Sequence, residues 1–279
     1  MLVAVVQFAS SGDKGRNRER VREAVRRAAG AGARLVVLPE ASMHPFGGAG
    51  DRLVDAAETV DGPFASTLAE AAASTGATVV AGMFESVPGE HRVFNTVLAV
   101  GPGGPLGAYR KLHLFDALGW RESDRVRPGE LDPGGGGLLT FGVGPFTVGV
   151  LTCYDLRFPE MARALVDAGA DLLALPSAWV AGPLKEYQWE TLVRARAIEN
   201  TAYVAAADQS PPEFAGHSML IDPMGTALAS VGEVDGLAVA AVSAERLAEV
   251  RSRLPVLEHR RYAVVPRTVA APAAVSWTG

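Results

Sequence analysis

The sequence predicts an α/β fold on three observations. Apolar, β-branched runs of six to eight residues recur along the chain and read as strands covered on both faces. Segments with apolar residues three and four apart lie between them and read as helices. A strand, a helix and a second strand open the chain, and the same alternation returns farther along.

The opening strand is Leu2 to Phe8, LVAVVQF, apolar on both faces. From Arg16 to Ala29, Val21, Ala24, Val25, Ala28 and Ala29 repeat at helical spacing while Arg and Glu fill the opposite face, and Gly30 and Gly32 close the segment. RLVVLPE, Arg34 to Glu40, is the second strand. A helix near Pro63 to Ser74 precedes the strands TVVAGMFES, VFNTVLAV and LGAYRK. Later come strand FTVGVLTC, a helix over Pro159 to Ala168, strand DLLALPS and a helix over Lys185 to Asn200. AYVAAAD, GHSMLID, ALASV and LAVAAVS are the closing strands, several joined by Gly turns such as Met224-Gly225. The strands together form a mixed sheet system.

VVLPE and LLALPS share a pattern of apolar strand, Leu-Pro and polar residue, which hints at internal pseudo-symmetry. No break in composition marks a linker, so residues 1–279 read as a single domain. Its tail from about Val264 is rich in Ala and Pro, lacks periodicity, and is expected to wrap a surface or a neighbouring subunit. Gly134 to Gly137 lack the lysine and following helix of a phosphate loop and read as a surface turn.

With 279 residues, 48% of them hydrophobic, the chain can bury a full core. A formal net charge of -5 gives no basic field to hold nucleic acid or an anionic membrane, so a small molecule or a protein is the expected partner. The apolar runs fall far short of the roughly 20 residues of a membrane helix. A single cysteine forms no intramolecular disulfide, and no basic segment precedes the first apolar run, so a soluble cytoplasmic protein is expected. His44, His113 and His217 are scattered without ligand spacing; no metal site is expected.

In open α/β sheets ligands collect at the carboxyl ends of strands. Glu40 ends RLVVLP, Lys111 ends LGAYR, and Cys153 ends FTVGVLT. A carboxylate, an ammonium and a thiol suffice to attack a carbonyl carbon. A free thiol with pKa ~8.5 is mostly protonated at neutral pH, so a base must take its proton, and Glu40 can. Lys111 can keep that carboxylate ionised, lower the cost of a thiolate, and face the oxyanion of a tetrahedral intermediate together with the backbone N–H of Tyr154. Neither metal nor cofactor is needed.

VVLPE with Glu40, YRKLHLFD with Lys111 and CYDLRFPE with Cys153, in this order, resemble the three catalytic signatures of the nitrilase superfamily of carbon-nitrogen hydrolases. PSAW, RARAIENTAYV and GHSMLIDPMG extend the resemblance to about Ser243. It implies an α-β-β-α sandwich, homodimers that pair two sandwiches into an eight-layered unit, and a Glu-Lys-Cys triad on Glu40, Lys111 and Cys153. It also implies a second glutamate, matched by Glu122 in GWRESDRV, that orients the lysine. The segment between HLFD and that glutamate is short, without the longer Pro-Gly loop of many relatives, which leaves the substrate-covering loop unspecified. CYDLRFPE is similar to the omega-amidase and deaminated-glutathione amidase branch, which acts on small carboxylated amides. Arg157 is the expected clamp for such a carboxylate, because its planar fork suits bidentate pairing.

Each residue also has an ordinary alternative. A lone cysteine is commonly packing, Lys111 a solvated strand-end charge, Glu40 a helix cap and Glu122 a surface charge. Arg157 could partner Asp155 or Glu160, and Trp179, which could line the pocket, could be core. Trp189, Leu192, Val193 and Ile198 read as core or dimer interface, and Arg196 and Glu199 as a helical ion pair. The reading adopted is an amidase that cleaves a small carboxylate-bearing amide through a Cys153 thioester and releases ammonia. Its rivals are hydrolysis of a carbamoyl compound or a nitrile by the same machinery, and a catalytically silent interaction module.

Overall fold

The computed structural model describes residues 1–48, 51–131 and 137–266. The predicted tail lies, apart from its first three residues, outside the described residues, as does most of the Gly134 to Gly137 run.

The first sheet and its helices come from β1 (Leu2–Gln7), α1 (Lys14–Gly30), β2 (Ala33–Val37), α2 (Leu53–Ala56), α3 (Pro63–Thr75), β3 (Thr78–Ser86), β4 (Val93–Gly101) and β5 (Gly104–Arg110). A small hairpin, β6 (Asp116–Ala117) and β7 (Trp120–Arg121), and the short β8 (Val126–Arg127) follow. The second half supplies β9 (Leu139–Val143), β10 (Phe146–Val150), α4 (Pro159–Asp167), β11 (Leu172–Pro176), α5 (Lys185–Asn200), β12 (Tyr203–Ala207), β13 (Met219–Ile221), β14 (Ala227–Ser230), β15 (Gly236–Ala241) and α6 (Ala244–Arg253). Strands β6 to β9 and helices α2 and α6 were not among the predicted elements. The predicted strand ends overran: residues 38–40 and 151–153 lie beyond β2 and β10, in the segments that carry the chemistry.

The strands form a seven-stranded sheet ordered β15-β1-β2-β3-β4-β5, with β8 alongside β4, and a six-stranded sheet ordered β14-β13-β12-β11-β10-β9. In the first, β2 runs parallel to β1 and β3; in the second, β11 runs parallel to β10 and β12. VVLPE and LLALPS therefore leave the middle parallel strand of each sheet, as the pseudo-symmetry expected.

Strand alternation sorts the layers. Val3 and Val5 of β1, with Leu35 and Val37 of β2, pack in one core with Val148, Leu173 and Leu175 of the second sheet. Ala4 and Val6 point the other way, into a core with Val21 and Val25 of α1 and Phe64 and Leu68 of α3. Helices α4 and α5 cover the outer face of the second sheet through Leu165, Trp189 and Val193. The result is the predicted α-β-β-α sandwich. Helix starts follow sequence chemistry: Asp13 caps α1 by accepting the N–H groups of Gly15 at 2.8 Å and Arg16 at 3.1 Å, and Pro63 and Pro159 open α3 and α4.

Candidate active site

Glu40, Lys111 and Cys153 follow the carboxyl ends of β2, β5 and β10, and the sandwich brings them together with Glu122 on the floor of a cavity of about 1090 Å³. Glu40, Lys111 and Glu122 are 0%, 1% and 2% exposed, so none is a surface charge. Lys111 Nζ donates to Glu40 Oε1 at 3.0 Å and to Glu122 Oε2 at 2.9 Å and Oε1 at 3.2 Å. Asn95 on β4 donates from Nδ2 to both carboxylates, at 2.7 Å to Glu40 and 3.0 Å to Glu122. Each carboxylate also accepts a backbone N–H: Glu40 Oε2 from Ala178 at 2.8 Å, Glu122 Oε2 from Phe115 at 2.7 Å. Buried charges survive folding only when paired and hydrogen-bonded this fully.

Glu40 also needs room beneath it. A Cβ on Gly82 of β3 would stand 2.6 Å from both the Glu40 Cα and the Ala41 nitrogen, closer than any side chain tolerates. Only glycine lets β3 pass there.

Cys153 opens a 3-10 turn, Cys153–Arg157, with φ at +47°, in the left-handed region that a residue with a Cβ occupies at a cost. Its neighbours hold it there. Asp155 Oδ2 accepts the Thr152 N–H at 3.0 Å and the Tyr109 hydroxyl at 2.7 Å, and Oδ1 meets His113 Nδ1 at 2.7 Å. Arg196 on α5 donates to the Leu156 carbonyl from Nε at 2.9 Å and Nη2 at 2.7 Å, besides its predicted pair with Glu199 at 2.8 Å. The N–H of Tyr154 falls in the first turn, where such groups have no partner within the helix.

Burial, and after it the charge of Glu40, pushes the Cys153 thiol well above its ordinary pKa, against Lys111 and the Ala178 N–H, which act in the other direction. The sulfur therefore rests as a thiol, as the sequence reading supposed in assigning a base to take its proton. Burial acts to lower the Lys111 pKa, but Glu122, Glu40 and Cys153 outweigh it and hold the ammonium well above the usual lysine range. Lys111 stays charged throughout the neutral range.

The cavity wall is largely aromatic and apolar: Phe115, Trp120, Tyr154, Trp179 and Phe214, with Leu118 of the short hairpin at 82% exposure on its rim. Trp179, which the sequence left between pocket wall and core, is both: it borders the cavity yet is 2% exposed, pinned by its N–H to Asp208 Oδ1 at 2.7 Å and by Nε1 to the Lys185 carbonyl at 2.9 Å. Arg157 is not among the lining residues. Its guanidinium lies 4.7 Å from the Trp179 ring centre and donates to Gln188 Oε1 at 2.6 Å, so it pairs with neither Asp155 nor Glu160. Four residues past the cysteine, it stands behind the cavity-lining Trp179. Among the described residues no group of three or more His, Cys, Asp or Glu side chains has metal-holding geometry.

Sequence reasoning missed Asn95, Gly82, Asp155 and Lys185. Asn95 left a readable trace, an amide beside Thr96 in a strand whose other residues are apolar or glycine. Lys185 left none, because as first residue of α5 its direction depends on the preceding loop.

A carbon-nitrogen hydrolase family model matches residues 2–252. The chain belongs to that family. Deaminated glutathione amidase of Escherichia coli O157:H7 is 40% identical over 265 residues, covering 94% of this chain and 98% of the relative. The omega-amidase NIT2 of Danio rerio is 35% identical, with 93% and 94% covered. A CN-hydrolase superfamily protein of Xanthomonas campestris, solved with an arsenic adduct in its active site, superposes with a TM-score of 0.82 at 29% identity, covering 95% of this chain and 99% of that one. This carbon-nitrogen hydrolase thus acts on non-peptide C–N bonds, with amidases as relatives. No helix among its described residues is long and apolar enough to cross a membrane.

Proposed function

We propose that the protein is an amidase that hydrolyses a small carboxylate-bearing monoamide, with Cys153 as nucleophile, Glu40 as general base and acid, Lys111 as electrostatic stabiliser and Glu122 as the residue that positions the lysine. The observation that carries this reading is that Cys153 lines the same cavity as Glu40, Glu122 and Lys111, whose Nζ is bonded to both glutamates.

Glu40 takes the thiol proton as sulfur bonds to the amide carbon, so no free thiolate accumulates. The carbonyl oxygen becomes an oxyanion facing Lys111 and the Tyr154 N–H. Glu40 then gives its proton to the nitrogen, the C–N bond breaks, and ammonia leaves a thioester on Cys153. Water loses a proton to Glu40, adds to the thioester and releases the acid, and the proton returns to sulfur. The fixed ammonium costs no reorganisation at either tetrahedral stage.

The same reading makes the whole chain one catalytic domain of a cytoplasmic homodimer. The resemblance in sequence supports the dimer, as do exposed apolar side chains on α5 and after α6, Ile198, Leu254 and Val256 among them.

Ammonia release and intact-mass analysis over short dicarboxylic monoamides test the proposal together. Ammonia in amounts matching the acid, with an acyl adduct absent from Cys153→Ala, is the expected result. Carbon dioxide from carbamoyl compounds or acid from nitriles, without amide turnover, would replace it with one of the rival chemistries.

A further inference from the structure

Lys185 lines the cavity and is only 6% exposed. Its Nζ lies 4.5 Å from the Trp179 ring centre and 5.3 Å from that of Phe115. Among the described residues it has no carboxylate within salt-bridge range and its ammonium meets no hydrogen-bond acceptor, while Lys111, the other lysine of the lining, is saturated by Glu40 and Glu122. Aromatic faces compensate a buried ammonium only in part. The position is held from the backbone: the Lys185 N–H donates to the Gly182 carbonyl at 3.0 Å, and its own carbonyl accepts the Trp179 indole at 2.9 Å. With its backbone fixed in this way, a cavity-lining ammonium that has no acceptor of its own among the described residues is arranged for an anion.

We propose that Lys185, not Arg157, is the anchor for the substrate's carboxylate, holding it while Cys153 attacks the amide at the other end of the molecule. A single ammonium matches a monoanion, and the neighbouring Glu40, Glu122 and Glu213 disfavour a dianion such as a phosphate ester. The aromatic wall between suits an alkyl linker. Burial and the nearby charge of Arg157 lower the Lys185 pKa, and a bound carboxylate reverses that tendency.

The inference rests on the amidase reading, and the experiment separates the two. Monoamides of succinate, glutarate and adipate are compared with their methyl esters by kcat/KM. The wild-type enzyme is expected to prefer the acid of best length by roughly 10- to 100-fold, expressed in KM. Lys185→Met is expected to abolish most of that preference and Lys185→Arg to retain part of it. A wild-type enzyme indifferent to the carboxylate, or a folded Lys185→Met variant with unchanged preference, overturns the assignment; the wild-type arm decides even if the variant does not fold. Should no amide turn over, the amidase reading fails by itself. Calorimetry of glutarate on Cys153→Ala then judges Lys185: binding weakened about 10- to 100-fold by adding Lys185→Met upholds it, and equal or absent binding overturns it.

Discussion

On the cavity floor, Glu40 and Glu122 between them accept Lys111, Asn95 and two backbone N–H groups. On the wall, Trp179 and Phe115 flank Lys185, whose ammonium meets no acceptor among the described residues. Both regions bury a lysine, yet one is completed by the protein and the other is not. A floor closed on itself keeps its geometry whatever enters, as the bond-breaking machinery of a whole family requires. A wall left open in one charge reads the incoming molecule, and there relatives with one chemistry can diverge in substrate.

The severest way to break the comparison is Lys111→Met. Removing the ammonium leaves two buried carboxylates facing each other, which is expected to cost about 3–5 kcal/mol in urea unfolding and to abolish ammonia release. Adding Glu122→Gln should restore most of the stability and none of the turnover. A double variant as unstable as the single would show that the floor is not held by these charges. Next is Glu40→Gln, which keeps the shape but not the base: kcat should fall about 10²- to 10⁴-fold while stability changes less than in Lys111→Met. Acylation of Cys153 at the wild-type rate in that variant would remove Glu40 from its proposed role.

Gly82→Ala reaches the floor without touching its charges. The added methyl would press on the Glu40 and Ala41 backbone, and a displacement near 1 Å is expected to lower kcat about 100-fold with KM little changed. Stopped assays beside a thermal melt check that the loss is one of position and not of folding.

The raised thiol pKa gives a titration. Since folding favours the protonated sulfur, the thiolate fraction at neutral pH is small and grows about tenfold for each pH unit until the folded pKa is reached. Iodoacetamide alkylation of Cys153, followed by mass, should therefore keep climbing past pH 9. A plateau near neutrality would indicate a stored thiolate and exclude general-base activation.

Which parts were legible follows from the range of each interaction. Strand β3 was predicted to the residue because nine consecutive positions carry its pattern, and α5 because its period is unbroken. Glu40, Lys111 and Cys153 were readable as candidates because each lies within three residues of the carboxyl end of a strand. Strand β9, LTFGV, was missed: its alternation is short and two of its five residues are half-buried or exposed. The proposed exchange of roles between Arg157 and Lys185 was not legible, because Arg157 ends a turn that opens at positive φ on Cys153 and Lys185 follows Leu184, where φ is +60°, and local sequence does not encode either hand plainly.

The smallest expected effect settles that exchange. Arg157→Met removes a guanidinium that lies over Trp179 and holds Gln188, but that does not line the cavity. Its loss takes one positive charge from the neighbourhood of Lys185, which lets the Lys185 pKa rise and offsets any loosening of Trp179. The KM for a carboxylated monoamide should accordingly shift by less than about threefold, within the range of a surface-like substitution. The sequence reading of Arg157 as a bidentate clamp demands instead a rise of roughly 10- to 100-fold, the worth of a charged hydrogen bond removed from substrate. Steady-state kinetics on this variant beside Lys185→Met assign the carboxylate to the side chain whose loss raises KM the more.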